Sequence, residues 1–196
     1  MIIVNPVQDH LKHKKILLKM LSNFIHFNDT SVTRDKANLG DDDKVYKPLQ
    51  SDFFLPSKLK RPYLEYFCSD VIMPTVESVG KSLRLEPFDF KIHGLWFQQY
   101  SESGEHSWHN HPTCQFTNVY YLEMPEDEYK TEVVGLDGKL IEYTAKEGDL
   151  LTIPSWMMHR SKPNGTKRKT IIAFNSSYIA RATFGDLYHR NKYNGN

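Results

Sequence analysis

Two histidines one residue apart, His109 and His111, stand in the stretch Trp108-His109-Asn110-His111-Pro112. In extended backbone, side chains alternate, so residues two apart project to one side. Two imidazoles on one side can share a divalent metal, and a third from a later strand completes a site that still has open positions. His159 is the candidate for that third place. It follows Pro154 by five residues, where Pro154 stops the run Leu150-Leu151-Thr152-Ile153 launched by the turn Lys146-Glu147-Gly148-Asp149. A His-x-His pair alone is more often surface or packing than a metal site. The separate arrival of His159 at a strand end makes a three-ligand site the better reading.

The elements that must carry these residues are legible from periodicity. Residues 7–26 read as an amphipathic helix with Leu11, Leu18, Leu21 and Ile25 on one face, and with His10 and His13 on the surface. Residues 27–50 are polar and lack a sustained period, including Gly40-Asp41-Asp42-Asp43. A second helix is expected over 58–83, striped by Leu64, Phe67, Val71, Val76, Val79 and Leu83 and interrupted at Pro74. After Pro87, Phe88, Phe90 and Ile92 alternate with polar residues in a strand that runs on to Tyr100. Further strands are expected at 116–122, 131–134, 140–144, 150–153 and 170–174, with Asp137-Gly138 turning a hairpin. The end, 180–196, has no pattern. Short strands with helices segregated to the N-terminal side argue for one domain, mainly β, built as a sandwich or jelly roll. Residues 1–86 would be helical and loop support, and 87–178 the β core.

Composition narrows the function classes. The chain has 196 residues, 39% hydrophobic and 25% charged, as in a soluble globular protein. Its 25 Lys and Arg nearly cancel 24 Asp and Glu, so no global field favours nucleic acid or an anionic membrane. No apolar run is long enough to span a bilayer, and residues 1–6 lack the basic start and apolar core of a signal peptide. Cys68 and Cys114 are too few for a disulfide framework. The expectation is a cytoplasmic protein acting on small molecules.

From about Trp96 to Asn175 the chain resembles the double-stranded β-helix oxygenases that use Fe(II) and 2-oxoglutarate. In that superfamily a His-x-acid pair is followed, several strands on, by a distal His. A basic residue about ten positions later then holds the far carboxylate of 2-oxoglutarate. Arg168 and Lys169 stand nine and ten residues past His159. Alternation lets only one of them face inward. Arg168-x-Thr170 looks like the superfamily's Arg-x-Ser pairing, whereas Lys169, sharing a face with Asn175, matches a smaller branch whose strand ends Arg-x-x-x-x-x-Asn. Lys169 is the favoured one. Val119-Tyr120-Tyr121-Leu122 is similar to the Tyr-Tyr-Leu of prolyl-hydroxylase-like members, which implies a carboxylate contact for Tyr121. Tyr100 stands near where those enzymes place a tyrosine beside the metal-bound end of the cosubstrate.

One departure is specific. His111 occupies the place of the acid ligand, so the usual facial triad of two histidines and a carboxylate becomes three histidines, one negative charge short. Such a set also suits Zn(II). The smaller branch, found in bacteria and phages, carries His-x-His-Pro as this chain does. The resemblance thus implies a dioxygenase with Fe(II) as metal, 2-oxoglutarate as cosubstrate and an unspecified substrate to hydroxylate. A cupin-type metalloprotein without 2-oxoglutarate is the alternative, since Gly104 to Gln115 and Gly148 to His159 also resemble cupin motifs. A non-catalytic barrel is the third. His93, His106 and His189 are expected to lie outside the site.

Overall fold

Along every long strand of this protein, neighbouring residues are buried against different cores. In the last strand Ile172 and Phe174 pack into one apolar cluster, and Ile171 and Ala173 into another. The same division separates Tyr120 and Leu122 from Val119 and Tyr121, and Phe97 from Trp96 and Tyr100. Strands covered on both faces read as near-continuous apolar runs, as Phe116 to Leu122 does. The protein therefore has three layers: helices, a main sheet and a smaller sheet.

The computed structural model describes residues 2–32, 49–84 and 88–180. The polar Gly40–Asp43 stretch and the patternless end beyond 180 lie outside these residues. Strand β1 (Ile3–Pro6) precedes helix α1 (His10–Phe27), then β2 (Leu49–Ser51). Helix α2 (Pro62–Tyr66), a wide π-helical turn (Phe67–Ile72) and α3 (Met73–Ser82) follow. The remaining strands are β3 (Phe88–Tyr100), β4 (His106–His109), β5 (Phe116–Glu123), β6 (Glu132–Val133), β7 (Asp149–Pro154), β8 (His159–Ser161) and β9 (Lys169–Ala180). They form a six-stranded sheet, β1-β7-β5-β9-β3-β2, and a three-stranded sheet, β4-β8-β6, with every pairing antiparallel. Residues of both sheets share the inner cluster, so the fold is the double-stranded β-helix, or jelly roll. No helix among the described residues is long and apolar enough to cross a membrane.

Three expectations are corrected. On α1 the buried face is His13, Leu17, Leu21 and Phe24, while Leu11 is 78% exposed. Large aromatic neighbours decide this rotation: Phe24 meets Tyr63 and Phe97 edge-on, and the buried His13 ring bonds the Tyr66 hydroxyl at 2.8 Å. His10 is likewise engaged, its Nδ1 lying 2.7 Å from the Tyr120 hydroxyl. The expected second helix is present in three segments, and Pro74 stands in the first turn of α3, just after the π-helical turn. The wide turn before it carries Met73 N–H to the Cys68 carbonyl, which accommodates the ring and the missing donor at Pro74. Finally, the hairpin through Gly138 (φ 74°) forms, yet its second arm is reduced to one bridge, Val134 to Leu140. Beyond it Tyr143 turns inward to donate to the Thr131 carbonyl, which draws the arm out of register with β6.

Candidate metal centre

β4 and β8 bring His109 and His159 directly opposite each other. From His106 to His109 the chain takes three steps while β8 takes two, from Ser161 to His159. One extra residue is a bulge, which bends the strand and re-aims its side chains. His111 lies just beyond, its N–H donating to the Ser155 carbonyl at 2.8 Å. The ring centroids are 4.3 Å apart for His109 and His159, 5.1 Å for His109 and His111, and 5.3 Å for His111 and His159. One nitrogen from each ring lies within 4.8 Å of the others. Since a divalent metal sits about 2.0–2.2 Å from each imidazole nitrogen, small ring rotations suffice to enclose one.

Hydrogen bonds prepare the nitrogens. His109 Nδ1 is 2.7 Å from the Ser107 carbonyl, and His159 Nδ1 is 2.9 Å from the Met157 carbonyl. A carbonyl only accepts, so both Nδ1 atoms carry the proton and both Nε2 lone pairs are free for a metal. At His111 the partner is Asn175, whose amide lies 3.3 Å from Nδ1 and whose other end meets the Thr117 hydroxyl at 3.2 Å. A side-chain amide can present either its oxygen or its nitrogen. With the oxygen toward His111, Nδ1–H donates and Nε2 is again the free atom. Burial pushes the His159 pKa down to about 3 and that of His111 to about 4, each reinforced by His109. His109 is lowered by burial too. The cluster is thus uncharged at neutral pH, the protonation state a metal requires. Three neutral donors fit a divalent cation and leave its full charge to be balanced by an anionic ligand.

The other candidates divide clearly. Lys169 is 2% exposed. Its ammonium donates to the Ser161 hydroxyl and, at 3.0 Å, to the Tyr129 carbonyl, and sits 4.4 Å from the centroid of the Tyr100 ring. Burial and, secondarily, Lys162 bring its pKa down to about 7. Arg168 faces the other way, forming a two-pronged pair with Glu123 at 2.9 and 3.0 Å. Register explains the split: Lys169, Ile171, Ala173 and Asn175 share the inner face of β9. Tyr100 supplies its ring to Lys169 and donates its hydroxyl to Gln98 at 2.7 Å. Tyr121 is fully buried in a closed ring of hydrogen bonds: Thr131 N–H to Tyr121 (3.0 Å), Tyr121 to Tyr143 (3.4 Å), and Tyr143 back to the Thr131 carbonyl. With Tyr143 donating to Thr131, the one Tyr121 hydroxyl proton goes to Tyr143 and none is left to donate to a carboxylate.

A cavity of about 30 Å³ separates the histidines from Tyr100 and Ser161, the partners of Lys169. That is room for about one water, so a larger ligand must displace side chains. Two lining residues escaped the sequence reading. Gln98 shares the inner face of β3 with Trp96 and Tyr100, and its amide reaches His106 Nδ1 at 3.1 Å. His106, expected outside the site, stacks on His109 at 3.9 Å and 18°. The bulge puts two residues three apart on the same side, which the period of two forbids. His93 lies elsewhere, bonded to Ser177.

Comparison with known proteins agrees with this geometry. Residues 94–175 match the sequence family described as "Putative 2OG-Fe(II) oxygenase". This segment, less than half of the 196 residues, is similar to the 2OG-Fe(II) oxygenases. No curated protein matches the sequence. Among solved structures, a prolyl hydroxylase from Trichoplax adhaerens, in complex with a hypoxia-inducible-factor peptide, superposes with a TM-score of 0.60 and 13% identity, over 91% of this chain and 83% of that one. The α-ketoglutarate-dependent epimerase SnoN of nogalamycin biosynthesis gives 0.62 and 12%, over 89% and 76%. A 2OG-Fe(II) oxygenase-family oxidoreductase from Burkholderia pseudomallei gives 0.50 and 12%, over 59% of this chain and 56% of that one. At these identities the likeness is one of fold, and the fold serves both hydroxylation and epimerisation.

Proposed function

We propose that this oxygenase hydroxylates a C–H bond of its substrate, with His109, His111 and His159 holding Fe(II) and Lys169 receiving the far carboxylate of 2-oxoglutarate. Bound there, Fe(II) together with 2-oxoglutarate and O₂ supplies the oxidant, and 2-oxoglutarate leaves as succinate and CO₂. The protein's part is to orient the reactants and keep the site dry. The observation that carries the reading is the pairing of three uncharged imidazoles at one end of a small cavity with a buried ammonium beside the other. A buried amine without an anion is costly to hold charged. A dianion spanning from metal to Lys169 supplies the missing charge at both ends, where the three-histidine set lacks the family's carboxylate.

Around this path the remaining residues have supporting work. Asn175 orients His111, and the carbonyls of Ser107 and Met157 orient His109 and His159. Tyr100 faces the ammonium with its ring, a contact that favours the charged form. Ser161 accepts from Lys169 and lines the cavity, so it is placed to follow the ammonium onto a carboxylate. Tyr121, by contrast, holds Thr131 in the cavity wall.

The test is anaerobic reconstitution with Fe(II), followed by titration of 2-oxoglutarate while recording the visible metal-to-ligand absorption band. The band is expected in the wild type and absent in His159→Ala. A protein that loads metal but forms no band would overturn the 2-oxoglutarate assignment and leave the cupin-type metalloprotein.

A further inference from the structure

A second cavity, of about 290 Å³, opens on His109 and His111. Its walls are Phe53, Phe54 and Trp96, with Val32 and Leu49. The aromatic rings form a continuous series. Phe54 meets Phe53 edge-on at 5.0 Å, Phe53 meets Trp96 at 5.0 Å, and Trp96 leans on His111 at 5.9 Å. At the mouth Phe53 and Phe54 remain 53% and 42% exposed, large apolar surface that a folded protein rarely leaves clustered without use.

The polar side chains on this wall are already committed. Ser51 donates to the Phe97 carbonyl and accepts from Phe53 N–H. The Gln98 amide is held between the Tyr100 hydroxyl and His106. The described lining contains no Asp, Glu, Lys or Arg. The wall is also rigid. Asp52, next to Phe53, accepts from Phe97 N–H at 3.0 Å and from the Tyr63 hydroxyl at 2.6 Å, and pairs with Arg61 at 2.8 Å.

We infer that this cavity is the substrate pocket and that it takes a neutral aromatic group, an inference resting on the metal reading given above. Walls this apolar, without a charged side chain among the described lining, do not repay the desolvation of a charge. Edge-to-face contact with three rings favours an aromatic occupant over an aliphatic one. A cation, which aromatic walls would otherwise attract, finds no carboxylate in the described lining to balance its charge. The volume sits at the lower end of ligand pockets, about 300 Å³. The occupant's edge then faces His109 and His111, two of the three proposed metal ligands, which is where a C–H bond must be presented.

The experiment is calorimetric titration of the full chain loaded with Zn(II) and 2-oxoglutarate, so that nothing turns over, with a metal-stripped arm alongside. Indole is expected to bind at least tenfold more tightly than benzoate or benzyltrimethylammonium in both arms. Phe53→Ala should weaken indole at least tenfold. Phe53→Asp should abolish indole binding and improve the cation. N-acetyl-tryptophanamide binding more tightly than indole would assign a side chain in a peptide, and the reverse a free small molecule. A charged probe matching indole, or Phe53→Ala leaving indole unchanged, would overturn the inference. Failure of Zn(II) to bind while indole still does would instead overturn the metal reading and leave the pocket standing.

Discussion

His109 and His159 face each other across β4 and β8, and each donates its Nδ1 proton to the carbonyl two residues before it. The same local device thus fixes the same tautomer on both strands and aims both Nε2 atoms at one point. Removing either ring should remove the metal site, whereas removing the stacked His106 should only loosen it. Calorimetry with Zn(II) is expected to show no measurable binding for His109→Ala or His159→Ala. His106→Ala should lose no more than about tenfold to hundredfold, the range of groups that support a ligand. Loss of metal in His106→Ala together with retention in His109→Ala would reverse the assignment.

Asn175 is the corresponding support for His111. Its amide bridges the imidazole and Thr117, so Asn175→Ala leaves the ring free to rotate and its Nδ1 without a partner. Metal affinity should fall about tenfold to hundredfold. Asn175→Asp should recover most of it, because a carboxylate accepts from Nδ1–H and makes the ring a better donor. An alanine variant that binds Zn(II) as the wild type does would show that Asn175 does not position the ligand.

Where two-residue alternation holds, the sequence is enough to place side chains. It put Lys169 and Asn175 on one face of β9, as observed. It failed at His106, because a bulge adds one residue between it and His109 and no residue type announces the bulge. It failed differently on α1. There the count of leucines favoured a face containing Leu11, but the aromatic packing of Phe24 against Tyr63 and Phe97 selects its neighbour. Nor can alternation say what a buried hydroxyl touches. Thr131 and Tyr143, which take up Tyr121, come from a hairpin whose second arm leaves the sheet.

Tyr121→Phe tests that last point. If the hydroxyl held the cosubstrate, its loss would weaken 2-oxoglutarate by more than tenfold. With the hydroxyl committed to Thr131 and Tyr143, the expected change in 2-oxoglutarate affinity is less than threefold. The cost should appear in folding instead, about 1–3 kcal/mol for leaving Thr131 N–H unpaired in the interior, measured by urea denaturation.

Lys169 gives the protein a pH dependence whose sign is fixed. Its pKa of about 7 in the fold lies below the ordinary lysine value near 10.4, so between these limits the unfolded chain binds more protons than the folded one. Stability therefore gains a rising component as pH increases through that window, and Lys169→Met should lack it. Comparing urea midpoints of the two proteins from pH 6 to 10 isolates the effect from other titrating groups. Cosubstrate binding runs the opposite way. A carboxylate needs the protonated amine, so above pH 7 the affinity for 2-oxoglutarate should fall by up to about tenfold per unit, with a proton taken up on binding. Calorimetry of 2-oxoglutarate binding to the Zn(II)-loaded protein, in buffers of different ionisation enthalpy at pH 8, measures that uptake directly. Binding without proton uptake, or equally strong in Lys169→Met, would separate Lys169 from the carboxylate and return it to a purely structural place between Ser161 and Tyr129.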